Sequence, residues 1–228
     1  MPELLFQVED VTQRANAATP QLTFKLRITN TVAGEAIQSV LLRCQIQIEP
    51  ARRRYTRQEQ LRLVELFGTP ERWSQTLRPL LWENLSVSVS GFSDSTVLEL
   101  FVPCSFDFNV AMTKYAYGLE DGELPCTLLF SGTAFFQGRV GLQIMQIPWS
   151  TEARSRVPVR IWRQMMDSFY PNSAWLSLRR DAFDLLYEYK TRHAIPTWEQ
   201  AIERVVGAAS RPHAISAGGT DPAAEAKS

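Results

Sequence analysis

The chain has 228 residues, of which 45% are hydrophobic and 11% aromatic, and 24 Lys and Arg balance 24 Asp and Glu. A chain of this length and composition can bury a substantial core, which excludes an intrinsically disordered protein. The formal net charge of zero gives no overall field for a polyanion, so we expect no nucleic-acid partner. Near-zero charge also favours association, and a homo-oligomer is therefore one expected state.

Cysteine usage and hydropathy predict the cellular compartment of the protein. Cys44, Cys104 and Cys126 are odd in number and widely spaced, which is typical of reduced thiols. The first ten residues lack the basic and apolar regions of a secretion signal, and no window approaches the roughly 18 apolar residues of a membrane helix. We expect a cytoplasmic protein with no membrane span.

Alternating hydrophobicity predicts strands in the first 50 residues. A short strand fits Leu4–Val11, and a clearer alternation of apolar and polar residues covers Leu22–Thr29. A second clear alternation follows over Leu42–Glu49, with Cys44 on the apolar face. The short connection between the two clear strands favours a hairpin.

A helical insertion is predicted after Pro50. Thr56 and Glu59 have the spacing of a capping box, and apolar residues at helical spacing continue to Phe67, where Gly68 ends the pattern. Thr69 followed by Pro70 predicts one further turn of helix.

The pattern then returns to strands. We predict three of them, over LSVSVS, TVLELFV and CSFDFNVAMTKYAY, followed by a hairpin of LPCTLLFSGTAFF with GLQIMQIPW that is joined near Gly138. In the third of these, Phe106, Phe108 and Val110 alternate with polar residues. About eight strands with turns at these intervals are typical of a sandwich.

The C-terminal part is predicted to be helical. Apolar residues at helical spacing run from Ile161 to Phe169, then from Trp175 to Tyr189, and Thr197 opens a last helix that Gly207 closes. From residue 208 onward the chain is small, polar and aperiodic, which predicts a disordered tail over 208–228. We expect one globular domain over 1–207.

Residues for catalysis are sparse. His213 lies in the predicted tail, and His193 follows a helix end where a solvated cation is ordinary. The cysteines have no metal-site spacing, and the glycines form no phosphate loop. The acidic cluster Glu120, Asp121 and Glu123 surrounds a turn glycine, where acidic residues are common. We therefore expect no catalytic residues, no metal and no cofactor, and a protein that is not an enzyme.

One local charge concentration remains. Arg52, Arg53 and Arg54 precede Tyr55, and arginine beside an aromatic ring can bind a partner's carboxylates; the alternative is a solvated turn paired with nearby glutamates. We expect Arg53→Glu with Arg54→Glu to weaken a complex without changing thermal stability. Aromatic residues of the C-terminal helices extend the predicted partner-binding set, which comprises Arg52, Arg53, Arg54, Tyr55, Trp162 and Tyr170.

Several segments resemble a bacterial family of unknown function over about residues 5 to 206: LRCQIQIEPARRRY, ELFGTPERW, TLRPLLW, VPCSFDFNVAMTKY, LLFSGTAFF, VPVRIWRQMMDSFYP and AWLSLRRDAFDLLYEY. The family is associated with gene neighbourhoods of actinobacterial-type nickel–iron uptake hydrogenases. The resemblance implies an accessory or assembly partner of such enzymes. The chain lacks the paired CxxC motifs that hold a nickel–iron centre, so it is not the hydrogenase large subunit.

Together these patterns predict an α+β domain, mainly an antiparallel β-sandwich or partly open barrel, with a helical insertion and C-terminal helices packed on it. The predicted function is a non-enzymatic accessory or scaffold protein that binds another protein, with hydrogenase subunits as implied partners. The alternative is a small-molecule or lipid-binding module whose pocket is lined by aromatics such as Phe106, Phe130 and Trp149.

Overall fold

The computed structural model describes residues 1–104, 110–138, 140–173 and 176–209. The chain forms two compact units, Met1–Ala174 and Trp175–Ser228. The single domain over 1–207 stays a prediction, and the predicted tail lies outside the described residues from 210 onward.

Eight strands and seven α-helices make up the described structure. The strands are β1 (Leu4–Gln13), β2 (Gln21–Asn30), β3 (Ile37–Ile48), β4 (Leu80–Phe92), β5 (Ser95–Pro103), β6 (Glu123–Gly138), β7 (Gly141–Ile147) and β8 (Glu152–Pro158). The helices are α1 (Arg57–Arg62), α2 (Val64–Phe67), α3 (Trp73–Thr76), α4 (Val110–Gly118), α5 (Val159–Phe169), α6 (Arg180–Arg192) and α7 (Trp198–Ala209), with 3-10 turns at Pro50–Arg52 and Pro70–Arg72.

Two open antiparallel sheets form a sandwich, which confirms the predicted α+β class. One sheet has the order β1-β2-β5, and the other has the order β4-β3-β6-β7, with β8 also paired to β6. The predicted β2–β3 hairpin is wrong, because the chain crosses between the sheets there and each strand becomes the centre of a different sheet. The predicted β6–β7 hairpin is confirmed.

The core lies between the two sheets. Phe6 of β1 stacks on Phe130 of β6 at 4.3 Å between ring centroids, and Phe24 of β2 meets Trp82 of β4 edge-on at 5.9 Å. Cys44 is buried on the inner face of β3, as its place in the alternation predicts. Burial of such side chains contributes roughly 1.5–3 kcal/mol each, so these facing rows hold the sheets together.

The helical insertion is confirmed at its start and corrected at its centre. Thr56 and Glu59 form both bonds of the capping box, but the helix is interrupted at Leu63, between α1 and α2.

The strand predicted over CSFDFNVAMTKYAY is wrong from Val110, where α4 begins. Its residues Met112, Tyr115 and Ala116 are buried at spacings of three and four, a helical period that the alternation of the preceding residues obscured. Phe106 and Phe108 lie outside the described residues.

The strand β8 was not predicted, because only Ala153 and Val157 supply its buried face. The helix predicted before Pro171 is confirmed as α5. In the second unit, α6 begins at Arg180, later than its pattern predicted, and Trp175 lies outside the described residues. No helix in the described part of the chain is both long and apolar enough to cross a membrane.

Candidate functional site

The three arginines after Pro50 have different environments. Arg52 and Arg54 are exposed, whereas the Arg53 side chain retains only 10% of its accessible surface. Arg52 is the last residue of the 3-10 turn over Pro50–Arg52, and Arg53 follows it with an extended backbone. Sequence alone treats the three as one cluster, and the fold separates them.

Arg53 belongs to the interior of the first unit. Its guanidinium forms an ion pair with Glu59, and it donates to the backbone oxygens of Asp121 at 2.7 Å and Glu123 at 3.0 Å. Glu59, 1% exposed, also accepts from the backbone N–H of Thr56 at 3.0 Å and from that of Glu120 at 2.9 Å.

The contacts of Arg53 are therefore structural. Its side chain joins the start of α1 to the turn before β6, and it is not available to a partner. A glutamate at this position would face Glu59 inside the protein, so the expectation that Arg53→Glu leaves thermal stability unchanged is corrected as well.

Tyr55 is half-buried and contributes to an aromatic cluster beside this ion pair. Its hydroxyl donates to the Pro50 carbonyl oxygen at 2.7 Å and lies 2.8 Å from the hydroxyl of the fully buried Tyr115. Its ring meets Trp73 edge-on at 5.0 Å. Burial raises the pKa of Tyr55 to about 12. Tyr55 thus supports the insertion from within and offers no free hydroxyl.

The two C-terminal aromatics of the predicted set also pack inward. Trp162 of α5 is 5% exposed and lies in the core. Tyr170, at the end of α5, is half-buried and packs against that core. The prediction that Trp162 faces a partner is wrong, because α5 turns the apolar stripe that contains it toward the sandwich.

Arginines do converge elsewhere, at a cleft of about 610 Å³ that is lined by residues of β1, β6, β8, the 3-10 turn and α5. Its walls are β1, at the edge of one sheet, and β8, paired on one side to β6 of the other sheet. Arg52, Arg154, Arg156 and Arg160 line it, and we call it the arginine cleft.

The four cleft arginines differ in their ion pairs. Arg154 pairs with Glu152 at 3.1 Å and Arg156 pairs with Glu123 at 3.3 Å, and these side chains are well exposed. Exposed pairs of this kind contribute about 0–1 kcal/mol, so a competing carboxylate can displace them. Arg52 and Arg160 form no ion pair within the described residues.

Two acidic residues also line the cleft. Glu9 pairs with Arg27 and Lys25 of the adjacent strand β2, and the hydrogen bond from Arg27 lowers the pKa of Glu9. Asp10 accepts a hydrogen bond from the backbone N–H of Val11 at 2.8 Å. The lining therefore contains four arginines and two carboxylates, and Glu152 and Glu123 beside it pair with two of the arginines.

The N-terminus of α5 adds to this field. Pro158 and Arg160 line the cleft at the first turn of the helix, which contains no acidic residue. A helix N-terminus carries a partial positive charge, so it favours an anion beside it. The strand β8, the 3-10 turn and α5 therefore present positive charge to the cleft, whereas β1 presents Glu9 and Asp10.

Sequence reasoning missed three of the four cleft arginines. The available signal was the segment EARSRVP, in which Arg154 and Arg156 stand two residues apart, with Arg160 shortly after. Near Gly122, backbone atoms of Glu120, Asp121 and Glu123 bind Arg53 or Glu59.

The aromatic pocket of the alternative prediction is not formed by the described residues. Phe130 is buried and stacked on Phe6, Trp149 is 89% exposed, and neither lines the arginine cleft. Phe106 lies outside the described residues. Within the described part of the chain, no three His, Cys, Asp or Glu residues are grouped as a metal site would need.

These observations define the class: an open α+β sandwich with a cationic cleft between the edge regions of its two sheets. The chain belongs to the family of unknown function DUF6084, whose model matches residues 1–214. The resemblance to a family of unknown function is thereby confirmed. A search of curated proteins gives no match.

Three of the matching solved structures cover 69% of this chain at low identity. The CARDB domain of the PF1109 protein from Pyrococcus furiosus, solved with di-metal ions, is 12% identical, with 69% of this chain and 92% of that chain covered and a TM-score of 0.27. A putative late embryogenesis abundant protein is 13% identical, with 69% and 71% covered and a TM-score of 0.33. A β-glucosidase from Kluyveromyces marxianus is 6% identical, with 69% and 15% covered and a TM-score of 0.25.

Proposed function

We propose that this protein is a non-enzymatic accessory protein that binds an acidic surface of another protein through the arginine cleft. The observation that carries the proposal is the convergence of Arg52, Arg154, Arg156 and Arg160 on one partly open space, with Arg52 and Arg160 unpaired among the described residues. The planar guanidinium binds carboxylates through two parallel hydrogen bonds, so such a cluster suits acidic side chains.

The state of the nucleophilic side chains supports binding rather than catalysis. Burial raises the pKa of the thiols of Cys44 and Cys104 to about 12 and also raises that of Cys126. At neutral pH these thiols are protonated, and the thiol is a far weaker nucleophile than the thiolate. His193 is exposed at the end of α6, with its ring 4.5 Å from that of Tyr189.

The second unit supports a protein as the partner. Among its described residues only Ile195 and Ala201 are buried, while Leu185 is 69% exposed and Val206 58% exposed. Exposed apolar side chains on amphipathic helices are typical of surfaces that other proteins cover. The resemblance described above makes subunits of a nickel–iron hydrogenase the first partners to test.

Affinity purification from the native organism, followed by mass spectrometry, tests the proposal. The tagged wild-type chain is compared with the double variant Arg52→Glu/Arg160→Glu and with a control, Arg78→Glu, which reverses an exposed arginine outside the cleft. We expect a specific partner to copurify with the wild type and the control and to be lost from the double variant. An equal yield of the partner from all three proteins would contradict the proposal.

A further inference from the structure

The strand β7 has an open edge. In the described part of the chain it is hydrogen-bonded to β6 alone, over Gly141–Ile147, and no further strand or helix runs along its other side. Antiparallel pairing directs alternate backbone N–H and C=O groups of β7 away from β6. Side chains are exposed on both faces of the strand, Gln143 on the face of the buried Met145 and Leu142 and Ile144 on the opposite face. The middle of β7 is therefore accessible from both faces and from its edge.

The edge of β7 also lacks the features that prevent edge-to-edge association. Natural edge strands are protected by charged side chains, proline, a bulge or a covering element. The sequence of β7, GLQIMQI, contains no charged residue and no proline, and its register with β6 has no shift. By contrast, β1 has a bulge between Val8 and Asp10, and β8 carries Arg154 and Arg156 and lies beside β1. An unprotected edge of this kind is typical of an interface.

The chemistry of this edge favours a second copy of the chain. Leu142 and Ile144 are 63% and 62% exposed, and Val140, just before the strand, is 92% exposed. The adjacent segment of β6, Ser131–Gly138, also contains no charged residue. Such a surface offers no counter-charge to a charged partner. A second copy presents the same apolar edge, and a chain with a net charge of zero does not repel its copies.

The sequence of β7 is complementary to itself. A two-fold axis perpendicular to the sheet would pair β7 with β7 of a second copy as antiparallel strands, and paired residues would face the same side of the sheet. One such register places Leu142 opposite the partner's Ile144 and Ile144 opposite the partner's Leu142. Gln143 then lies on the axis, opposite the partner's Gln143. Apolar cross-strand pairs of this kind stabilise antiparallel pairing.

From these observations we infer that the protein forms a symmetric dimer in which the two β7 edges pair as antiparallel strands about an axis at Gln143. The pairing joins the sheet that contains β7 in each copy into one continuous sheet. Two-fold interfaces are the commonest in soluble homo-oligomers, because one surface serves both copies. The inference goes beyond the proposed function and does not depend on it, since no residue of β7 lines the arginine cleft.

Sedimentation velocity of the full chain over a range of concentrations tests the dimer. We expect the wild-type mass to approach twice the 25.9 kDa of the monomer as the concentration rises. Leu142→Lys/Ile144→Lys places lysine opposite lysine at two positions, whereas Leu142→Lys/Ile144→Glu places lysine opposite glutamate at both. The first variant should therefore have a dimer dissociation constant at least about tenfold higher than the second.

A further variant controls for the loss of an exposed apolar side chain. Leu61 of α1 is 66% exposed, which matches the exposure of Leu142, and it lies outside β7. Leu61→Lys should leave the dimer unchanged.

A disulfide tests the register. Paired residues of antiparallel strands have Cα atoms about 4.5–5.5 Å apart, within the range that a disulfide spans. Gln143→Cys should therefore cross-link to its own copy on mild oxidation. Gln146→Cys, at another exposed glutamine of β7, should not, because six residues along the strand, about 20 Å, would separate it from the partner's Gln146. The three native thiols are buried and are present in both variants.

A wild-type chain that is monomeric at every soluble concentration would overturn the inference. So would a dimer that is equally stable in the lysine–lysine and lysine–glutamate variants, or one that cross-links equally at positions 143 and 146 or not at all at 143. Circular dichroism melting establishes that each variant is folded. If the lysine–lysine variant does not fold, cross-linking of Gln143→Cys against Gln146→Cys decides the question alone.

Discussion

Two arginine sites of the first unit differ in what surrounds them, although Arg52 and Arg53 are adjacent in the chain. The Arg53 guanidinium binds the buried carboxylate of Glu59 and two backbone carbonyl oxygens, which hold it inside the protein. Arg52 faces the arginine cleft, where other cations lie near it. The comparison teaches that adjacent like residues at the end of a single 3-10 turn can have different environments, one in a buried ion pair and the other exposed at a cleft.

The largest effect should follow from removing the buried cation. We expect Arg53→Met to lower the free energy of unfolding by about 3 kcal/mol, because Glu59 would remain buried without its partner. Urea unfolding followed by circular dichroism measures the change. The control Arg54→Met alters an exposed neighbour and should change stability by less than about 0.5 kcal/mol. Similar losses in both variants would remove the distinction between the two sites.

The tyrosine pair beside Arg53 should show an unequal effect. Tyr55→Phe removes the hydroxyl that donates to the Pro50 carbonyl oxygen and accepts from the buried Tyr115 hydroxyl. We therefore expect the free energy of unfolding to fall by about 2 kcal/mol. Tyr115→Phe leaves the bond from Tyr55 to Pro50 intact and should cost about 1 kcal/mol. Unfolding of the two single variants and the double variant measures this difference. The reverse order would contradict the hydrogen-bond directions.

Interior groups should also make the protein sensitive to alkali. Burial raises the pKa of Cys44 from 9.0 to about 12, so the folded state holds this proton more tightly than the unfolded chain. The associated stability is complete below pH 9 and is lost as pH rises toward 12, by about 1 kcal/mol between pH 9 and 10 for this one group. Urea midpoints over that interval should fall less steeply in Cys44→Ala than in the wild type. Parallel slopes would contradict the buried, protonated thiol.

The sandwich could be predicted from the sequence because the alternation of apolar and polar residues that indicates a strand is a pattern among neighbouring residues. Alternation in β2 and β3 and the capping box of Thr56 and Glu59 depend on neighbouring residues, and all three are present. Strand pairing depends on distant residues, so the β2–β3 hairpin was predicted wrongly. The same limit applies to the site: Arg52 lies about a hundred residues before Arg154, and only the fold brings them to one cleft.

The smallest effect on stability is expected at the cleft itself. Arg52→Glu/Arg160→Glu should change the free energy of unfolding by less than about 0.5 kcal/mol, because neither side chain forms an ion pair within the described residues and both are exposed. Thermal and urea unfolding of the double variant measure this directly. A loss above about 2 kcal/mol would place these arginines among the structural groups.

The central claim is that the fold uses Arg53 for stability and the cleft arginines for binding. Its most direct test measures the unfolding free energy and the yield of the copurified partner for Arg53→Met and for Arg52→Glu/Arg160→Glu, at a temperature where both remain folded. We expect the first variant to lose stability and keep its partner, and the second to keep its stability and lose the partner. A stable Arg53→Met, or an unchanged partner yield from the cleft variant, would contradict the claim.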